Sequence, residues 1–469
     1  MSHRASLLGR GYQDHHLDSP RVRFRRALLL CLMTIAAPGS AQKSVGNKWV
    51  GRVALFVWFC LLCLGGYLAW IYLTDRATFL GYFTNSDKMA AARIAVIALA
   101  AGWLILFVDA WRLASPFRLS FFRAALVTII NVGIIAGVAG STAYASQLIK
   151  VSRETVKTVF KATETTPPLK GRYNILMVGS DARKDRTGVR PDSLTIASID
   201  ASTGRTVLVS LPRNLQNVPF AEDSPMRTVY PNGYNCGPTC LLNAVHTAAQ
   251  NRKDLYPDSA DPGLDATIDA VEGATNLKIN YYVMVNLNGF KGLVNAVGGV
   301  NMDVKTRIAM FGHDDAYKQT YIEPGVQKLD GQKALWYARS RVQADDFTRM
   351  GRQKCLMAAM LSQLSPQKVL VNATKIAESG KELLSTNIPA VELGQFADLA
   401  LKSRGEKISV VSLVPPVVST VNPNFPAIQA MIQTAIDKSE TAPAATGGPK
   451  KKDDTQRAAN TTDDLMATC

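Results

Sequence analysis

The sequence has no glycine-rich phosphate loop of the P-loop or dinucleotide type, which excludes both nucleotide-binding signatures. Histidine is scarce, with 5 in 469 residues. His246 and His313 stand isolated, so no Ser–His–Asp arrangement can be assembled, and His246 on an apolar helical run reads as a packed side chain. Cys236 and Cys240 have no second CxxC and no paired histidine nearby, which excludes a zinc finger. No helix-turn-helix carries base-reading residues, and no internal repeat is present. Acidic residues are few at the N-terminal end: 15 Lys+Arg face 5 Asp+Glu up to Arg123, against 38 and 32 in the rest. Most of the +16 net charge therefore sits beside apolar runs. That is a basic membrane flank and calls for no nucleic acid.

What the first third does have is long apolar segments. Val53–Leu73, Ala90–Val108 and Ala124–Ala145 are each near the ~20 residues that a bilayer core requires. Ala27–Ala37 is about eleven residues, ends in Pro38-Gly39 and follows Arg21, Arg23, Arg25 and Arg26. It is short for a span and is expected to be an interfacial helix. Basic residues crowd the N-terminal arm and the loop of Arg112, Arg118 and Arg123, whereas the first loop is balanced. The positive-inside rule puts the N-terminus in the cytoplasm, and three crossings put everything after about Gln147 outside. If the short segment also spanned, the remainder would face inward.

The expected organisation is a basic arm over 1–52, three transmembrane helices over 53–147, a polar stalk over 148–168 and a globular domain over 169–440. A disordered, Ala/Pro/Gly/Lys-rich tail is expected over 441–469. In the globular part, Tyr173–Val178, Leu194–Ile199, Thr206–Leu211, Tyr281–Val285, Val300–Val304 and Ile408–Val414 read as strands. Helices are expected over Leu241–Ala249, Leu264–Ala274, Phe290–Val297, Cys355–Leu364, Val369–Ile376, Ala390–Leu401 and Phe425–Ile436. This is an α/β pattern with a sheet covered on both faces. Cys236, Cys240 and Cys355 allow at most one disulfide and one spare thiol in that domain.

Three constellations carry chemistry. Gly179-Ser180-Asp181-Ala182-Arg183 follows the first strand, and Arg190-Pro191-Asp192 opens the second. Loops at strand ends are where α/β sheets take ligands. Asp181 and Asp192 across such a site suit magnesium, which takes one or two carboxylates and completes its shell with water and phosphate oxygens. Turn caps, or pairing with Arg183 and Arg190, would explain the same aspartates. Ser210-Leu211-Pro212-Arg213 ends the third strand, with Arg213 directed to the same pocket or to solvent. The densest group is Arg339-Ser340-Arg341, Asp345-Asp346, Arg349 and Arg352-Gln353. Guanidinium groups match phosphate oxygens in pairs. In an extended segment Arg339 and Arg341 would share one face. A helix begun at Arg349 would place Gln353 one turn on, on the same side. Such a cluster suits pyrophosphate; a surface salt-bridged to Asp345 and Asp346 is the plainer alternative.

In this order the constellations resemble the LytR-CpsA-Psr family of cell-wall glycopolymer ligases, actinobacterial type, over about Tyr173–Leu364 and less closely to about Lys438. The resemblance implies an α/β/α sandwich with an apolar channel for a polyprenyl chain, preceded by three transmembrane helices. It implies a phosphotransferase of the cell membrane. The enzyme would move a glycopolymer with its linking phosphate from a polyprenyl-pyrophosphate carrier to peptidoglycan. Asp181 and Asp192 would hold Mg2+ or Mn2+. Arg183, Arg190, Arg213, Arg339, Arg341, Arg349 and Gln353 would bind the pyrophosphate, with Asp181, Asp192, Arg213, Arg339 and Arg341 catalytic. Two departures stand out. The family's Pro-Arg-Asp is Pro212-Arg213-Asn214 here, and Leu241 occupies a position that is often lysine, a contact that is then either lost or supplied by Arg227. A hydrolase using the same site, or a membrane-bound transcriptional attenuator, are the alternatives. Labelling Cys469 with an impermeant thiol reagent would separate an exterior enzyme from a cytoplasmic regulator.

Overall fold

The structure is a computed structural model that describes residues 20–160, 164–180, 191–311, 320–342, 344–363, 384–441 and 458–469. It divides into two units, Met1–Arg153 and Glu154–Cys469.

The first unit is helical: α1 (Pro20–Ala36), α2 (Ser40–Val45), α3 (Lys48–Thr74), α4 (Arg76–Tyr82), α5 (Ser86–Leu113) and α6 (Phe121–Val159). Among the described residues three helices are long and apolar enough to cross a membrane: Lys48–Thr74, Ser86–Arg118 and Phe121–Val159. Asn47 and Asn85 cap α3 and α5 by accepting backbone N–H bonds in their first turns, and this fixes where each apolar run begins. The third helix runs on through most of the expected stalk.

The short apolar segment expected to be interfacial is α1. α1 packs on α5 with Ala27, Leu30 and Cys31 buried. Trp103 Nε1 donates to Thr34 O (3.0 Å), and Gln42 Nε2 donates to Leu106 O (2.9 Å). Arg23 reaches Arg118 O, and Gly46 lies against Leu113, so both ends of the α1–α2 pair sit at the same end of α5. The pair is a helical hairpin that returns on itself. Gly39 makes the reversal possible. Its φ is +95°, and a Cβ there would strike Ala54 and the Gly51 carbonyl.

The second unit is built on a seven-stranded mixed sheet. Its strands are β1 (Arg172–Ser180), β2 (Pro191–Asp200), β3 (Thr206–Leu211), β4 (Tyr281–Asn286), β9 (Leu384–Thr386), β10 (Ile408–Ser412) and β11 (Thr461–Thr462), in the order β11-β10-β3-β2-β1-β4-β9. Two small ribbons stand apart: β5 (Val300–Val304) with β8 (Gly325–Leu329), and β6 (Ile308–Ala309) with β7 (Tyr321–Ile322). All six residues of β3 are buried, as a strand inside a sheet covered on both faces requires. One face packs Leu176, Val178, Ile196, Val207 and Val209 under α7 (Val245–Gln250), α8 (Pro262–Thr275) and a helix over Phe425–Thr441. The other packs Ala197, Leu208, Ile408 and Val410 under α9 (Leu287–Ala296), α10 (Gly331–Arg339) and α11 (Asp346–Gln363). A further helix, α12, covers Leu393–Ser403, which makes Phe425–Thr441 α13 and Leu465–Thr468 α14. This is the α/β/α arrangement expected. The expected helix Val369–Ile376 lies outside the described residues.

Two expectations are corrected here. Of the tail, residues 442–457 lie outside the described residues, but Ala458–Cys469 is part of the folded unit. β11 pairs with Val410 and Val411 of β10, Leu465 is fully buried, and Cys469 is disulfide-bonded to Cys355. A second disulfide joins Cys236 and Cys240. The domain therefore has two disulfides and no spare thiol among these four cysteines. The labelling of Cys469 proposed from sequence would find no thiol there.

Candidate functional site

Strand pairing assembles the site. β1 and β2 are antiparallel neighbours, and Ser180 is paired with Pro191, the residue before Asp192. β2 and β3 pair with Leu194 opposite Leu211. Carrying that register two residues on brings Arg213 opposite Asp192. Their side chains meet: Arg213 Nη1 donates to Asp192 Oδ1 at 2.7 Å. α11 crosses above. Its Arg349 donates through Nη2 to the Asp192 carbonyl (3.2 Å) and to Asp346 Oδ2 (3.1 Å), and Arg213 Nε lies 3.7 Å from Asp346 Oδ1. Two guanidiniums and two carboxylates thus alternate in one network. Arg349 is only 5% exposed. Burial pushes its pKa below the ordinary arginine value, against the pull of Asp346. Among the described residues its Nε, although buried, finds no hydrogen-bond partner. A buried donor without a partner is costly unless a ligand completes it.

Gln353, one turn after Arg349, accepts from Ser193 Oγ (3.3 Å) and donates to the Ala338 carbonyl (3.2 Å). Behind this group a cavity of about 270 Å³ opens between the sheet and the helices. Its walls are apolar, with Met177, Val283, Phe290, Leu335, Leu356 and Met360 among them. Its polar lining is confined to Asp192, Arg339, Arg349, Gln353 and a few hydroxyl and amide groups. A cavity of about 20 Å³ adjoins Asp192, Arg213, Arg349, Gln353 and Lys354.

The sequence-derived residues divide into three groups. Asp192, Arg213, Arg349 and Gln353 converge, and Arg339 lines the large cavity with its guanidinium 5.1 Å from the centre of the Trp336 ring. Arg341 is exposed and lines neither cavity. The extended Arg339-x-Arg341 geometry is not found: α10 continues to Arg339, Ser340 caps it, and the two side chains part. The reason is local, since Asp330 caps the start of α10 and Ala334, Leu335 and Tyr337 bury its face. Asp181, Arg183 and Arg190 lie outside the described residues. Arg352 is structural, fully buried, donating to Ser340 O with its guanidinium 6.0 Å from the centre of the Tyr337 ring. Burial pushes its pKa down to about 10.

Sequence reasoning missed Ser193 and Lys354, whereas the Asp346 ion pairs follow the salt-bridged alternative read from the sequence. Lys354 is 2% exposed, and its Nζ donates to Asn460 Oδ1 (2.7 Å) and Met350 O (3.3 Å). Burial first, and nearby Arg349 second, push its pKa down to about 7. No periodicity signals it, because its partner lies more than a hundred residues away.

No group of three or more ligating side chains occurs among the described residues. The site does present one carboxylate, Asp192, with a third of its side chain exposed. That meets the minimum for magnesium when water and phosphate oxygens supply the rest.

The LytR_cpsA_psr family matches residues 139–442. The polyisoprenyl-teichoic acid–peptidoglycan teichoic acid transferase TagV of Bacillus subtilis is 29% identical over 245 residues, which cover 51% of this chain and 56% of TagV. The cell wall biosynthesis protein LcpA of Corynebacterium glutamicum is 24% identical over 306 residues, 58% of this chain and 57% of LcpA. The chain thus spans a little over half the length of these relatives. A crystal structure of B. subtilis TagV overlays with a TM-score of 0.40 at 25% identity, covering 59% of this chain and 100% of that one.

Proposed function

The chain belongs to the LytR_cpsA_psr family, and from that membership we propose that it is a membrane-anchored phosphotransferase of cell-wall assembly. Its donor is a glycopolymer on a polyprenyl pyrophosphate, and its acceptor is a sugar hydroxyl of peptidoglycan. The observation that carries the reading is the junction of an apolar cavity of about 270 Å³ with the Asp192–Arg213–Arg349–Gln353 group. An amphiphile with a diphosphate head and an isoprenoid tail has these two needs side by side. The names of TagV, a polyisoprenyl-teichoic acid–peptidoglycan teichoic acid transferase, and of LcpA, a cell wall biosynthesis protein, agree with it.

The chemistry is phosphoryl transfer, which asks for charge neutralisation and in-line positioning more than for covalent participation. Arg213, Arg339 and Arg349 bind the diphosphate oxygens, and Gln353 orients them. The acceptor hydroxyl attacks the phosphorus attached to the glycan. The bond to the bridging oxygen breaks, and polyprenyl phosphate leaves with that electron pair. The hydroxyl proton passes to an aspartate at the cavity mouth. Preorganised guanidiniums stabilise charge on the leaving group. A Mg2+ or Mn2+ ion held by Asp192 and Asp181 would supply further neutralisation. Arg183, Arg190 and Arg341 are proposed outer phosphate contacts on the family resemblance alone. Three crossings with basic residues on the N-terminal side put this unit outside the cell, close to a donor that cannot leave the bilayer.

The test uses the full chain in lipid nanodiscs with a lipid-linked donor and peptidoglycan. Wall-joined glycan and free polyprenyl phosphate are expected, and Arg349→Ala should lower transfer by about 100-fold. Release of phosphorylated glycan with none joined to the wall would make the protein a hydrolase instead.

A further inference from the structure

The docked C-terminal segment lies beyond the family-matched residues 139–442, yet it is fastened to the helix that carries the site. Asn460 is 3% exposed and makes three bonds. Its Nδ2 donates to Phe347 O (2.8 Å), in the first turn of α11. Its Oδ1 accepts from Lys354 Nζ (2.7 Å), two turns further along α11, and from Ser412 Oγ (3.4 Å) on β10. Arg349 and Gln353 sit between those two attachment points. Leu465 and Ala459 are buried in the core beneath α11, and Cys469 is bonded to Cys355, the residue after Lys354. β11 hydrogen-bonds to the sheet edge. The segment therefore ties α11 to β10 at the level of the site and not at its far end.

Helices hold side chains only as well as they are themselves held. Buried polar groups that satisfy each other fix one position, because any slip leaves them unpaired. Lys354 has two bonds, to Asn460 and to a backbone carbonyl of its own helix, so Asn460 is its one described side-chain partner.

We propose that Asn460 and Lys354 are positioning residues: the docked C-terminal segment sets where α11 presents Arg349 and Gln353 to the diphosphate. The inference rests on the reading of this site as a diphosphate site. It does not require Asn460 or Lys354 to touch substrate. It predicts that the last residues of the chain belong to the catalytic unit although the family match stops before them.

The experiment measures kcat and KM for transfer by the full chain in nanodiscs, with Tm alongside. Asn460→Ala and Lys354→Met are each expected to lower kcat about tenfold or more, since small misplacements of a binding group are costly. Asn460→Asp keeps the acceptor for Lys354 but loses the donor to Phe347 O, so it should recover only part of the loss. In an Arg349→Ala background, Asn460→Ala should cost less than about twofold, because the group it positions is gone. Wild-type kcat in both variants, or an equal loss with and without Arg349, overturns the inference. Should Asn460→Ala fail to fold, Lys354→Met with its similar volume decides the matter. If Arg349→Ala transfers as well as wild type, the diphosphate reading fails and takes this inference with it. If Arg349→Ala is impaired and the Asn460 and Lys354 variants are not, the inference alone fails.

Discussion

Lys354→Met should remove the alkaline rise in stability of the globular unit. Lys354 is fully enclosed, and burial together with Arg349 brings its pKa from 10.5 to about 7. In the unfolded chain the amine keeps its proton to its ordinary value. Between about pH 7 and 10.5 the unfolded state therefore binds one more proton than the folded state, and stability climbs with pH at about 1.4 kcal/mol per unit. Below about pH 7 both states are protonated, and this residue adds no slope. From about pH 7.5 to 9.5 the wild type should gain roughly 2–3 kcal/mol that the methionine variant does not. Urea titration of the solubilised chain, read by pulse proteolysis of Glu154–Cys469, measures both slopes. Only their difference matters, because tyrosines titrating at higher pH are common to the two proteins. Parallel slopes would mean that Lys354 is protonated in the fold at neutral to alkaline pH, and the argument from burial would be refuted.

Arg339→Ala should lower transfer about 100-fold and Arg341→Ala less than about threefold, because only Arg339 lines the cavity; turnover assays of both variants read this directly. Met360→Trp should fill part of the apolar cavity, raise KM for a long-chain donor and leave binding of a short-chain diphosphate analogue unchanged, as titration calorimetry would record. Asp200 is raised by partial burial but more strongly lowered by bonds from Ser202 and Thr203, to about 2. Its contribution is present above about pH 4 and lost as pH falls towards 2, so Asp200→Asn should cost about 1 kcal/mol at neutral pH and nothing in strong acid, as acid titration of stability would show. Cys355→Ser with Cys469→Ser opens a loop closed over 114 residues and should cost about 2–4 kcal/mol by denaturant titration.

What the sequence discloses follows from where its signals are local. Thr206–Leu211 is a short, β-branched and mostly apolar run whose side chains are all covered, and it can be read without knowing its neighbours. The Arg349–Gln353 pair was legible from helical spacing alone, because both line one cavity from one helix face. The Arg339-Ser340-Arg341 triplet misled, because alternation implies a shared face only in extended chain, and helix α10 ends inside it. The C-terminal residues were hidden for a different reason. Three anchors, Asn460, Leu465 and Cys469, hold a polar segment with no period of its own. Lys354 sits in the polar run Arg352-Gln353-Lys354, and its buried side-chain partner, Asn460, lies in that distant segment.

The order of residues along α11 also orients the proposed donor. Arg349 falls in the first turn, where backbone N–H groups and the helix dipole favour an anion. Leu356, Met357 and Met360 follow on the same cavity wall. From Arg349 to Met360 the helix rises about 16 Å at about 1.5 Å per residue. A head group held at the start of that path has its tail drawn along the rest, because reversing the molecule would bury a diphosphate among methionines and leave Arg349 Nε without a partner. Burial of an unpaired charge costs several kcal/mol, more than any difference between the two ends of an isoprenoid. Under the proposed function, one helix would select both the ligand's chemistry and its direction. A displacement of its first turn would weaken head-group binding without closing the apolar wall, which is why the attachment of that turn by Asn460 bears on catalysis.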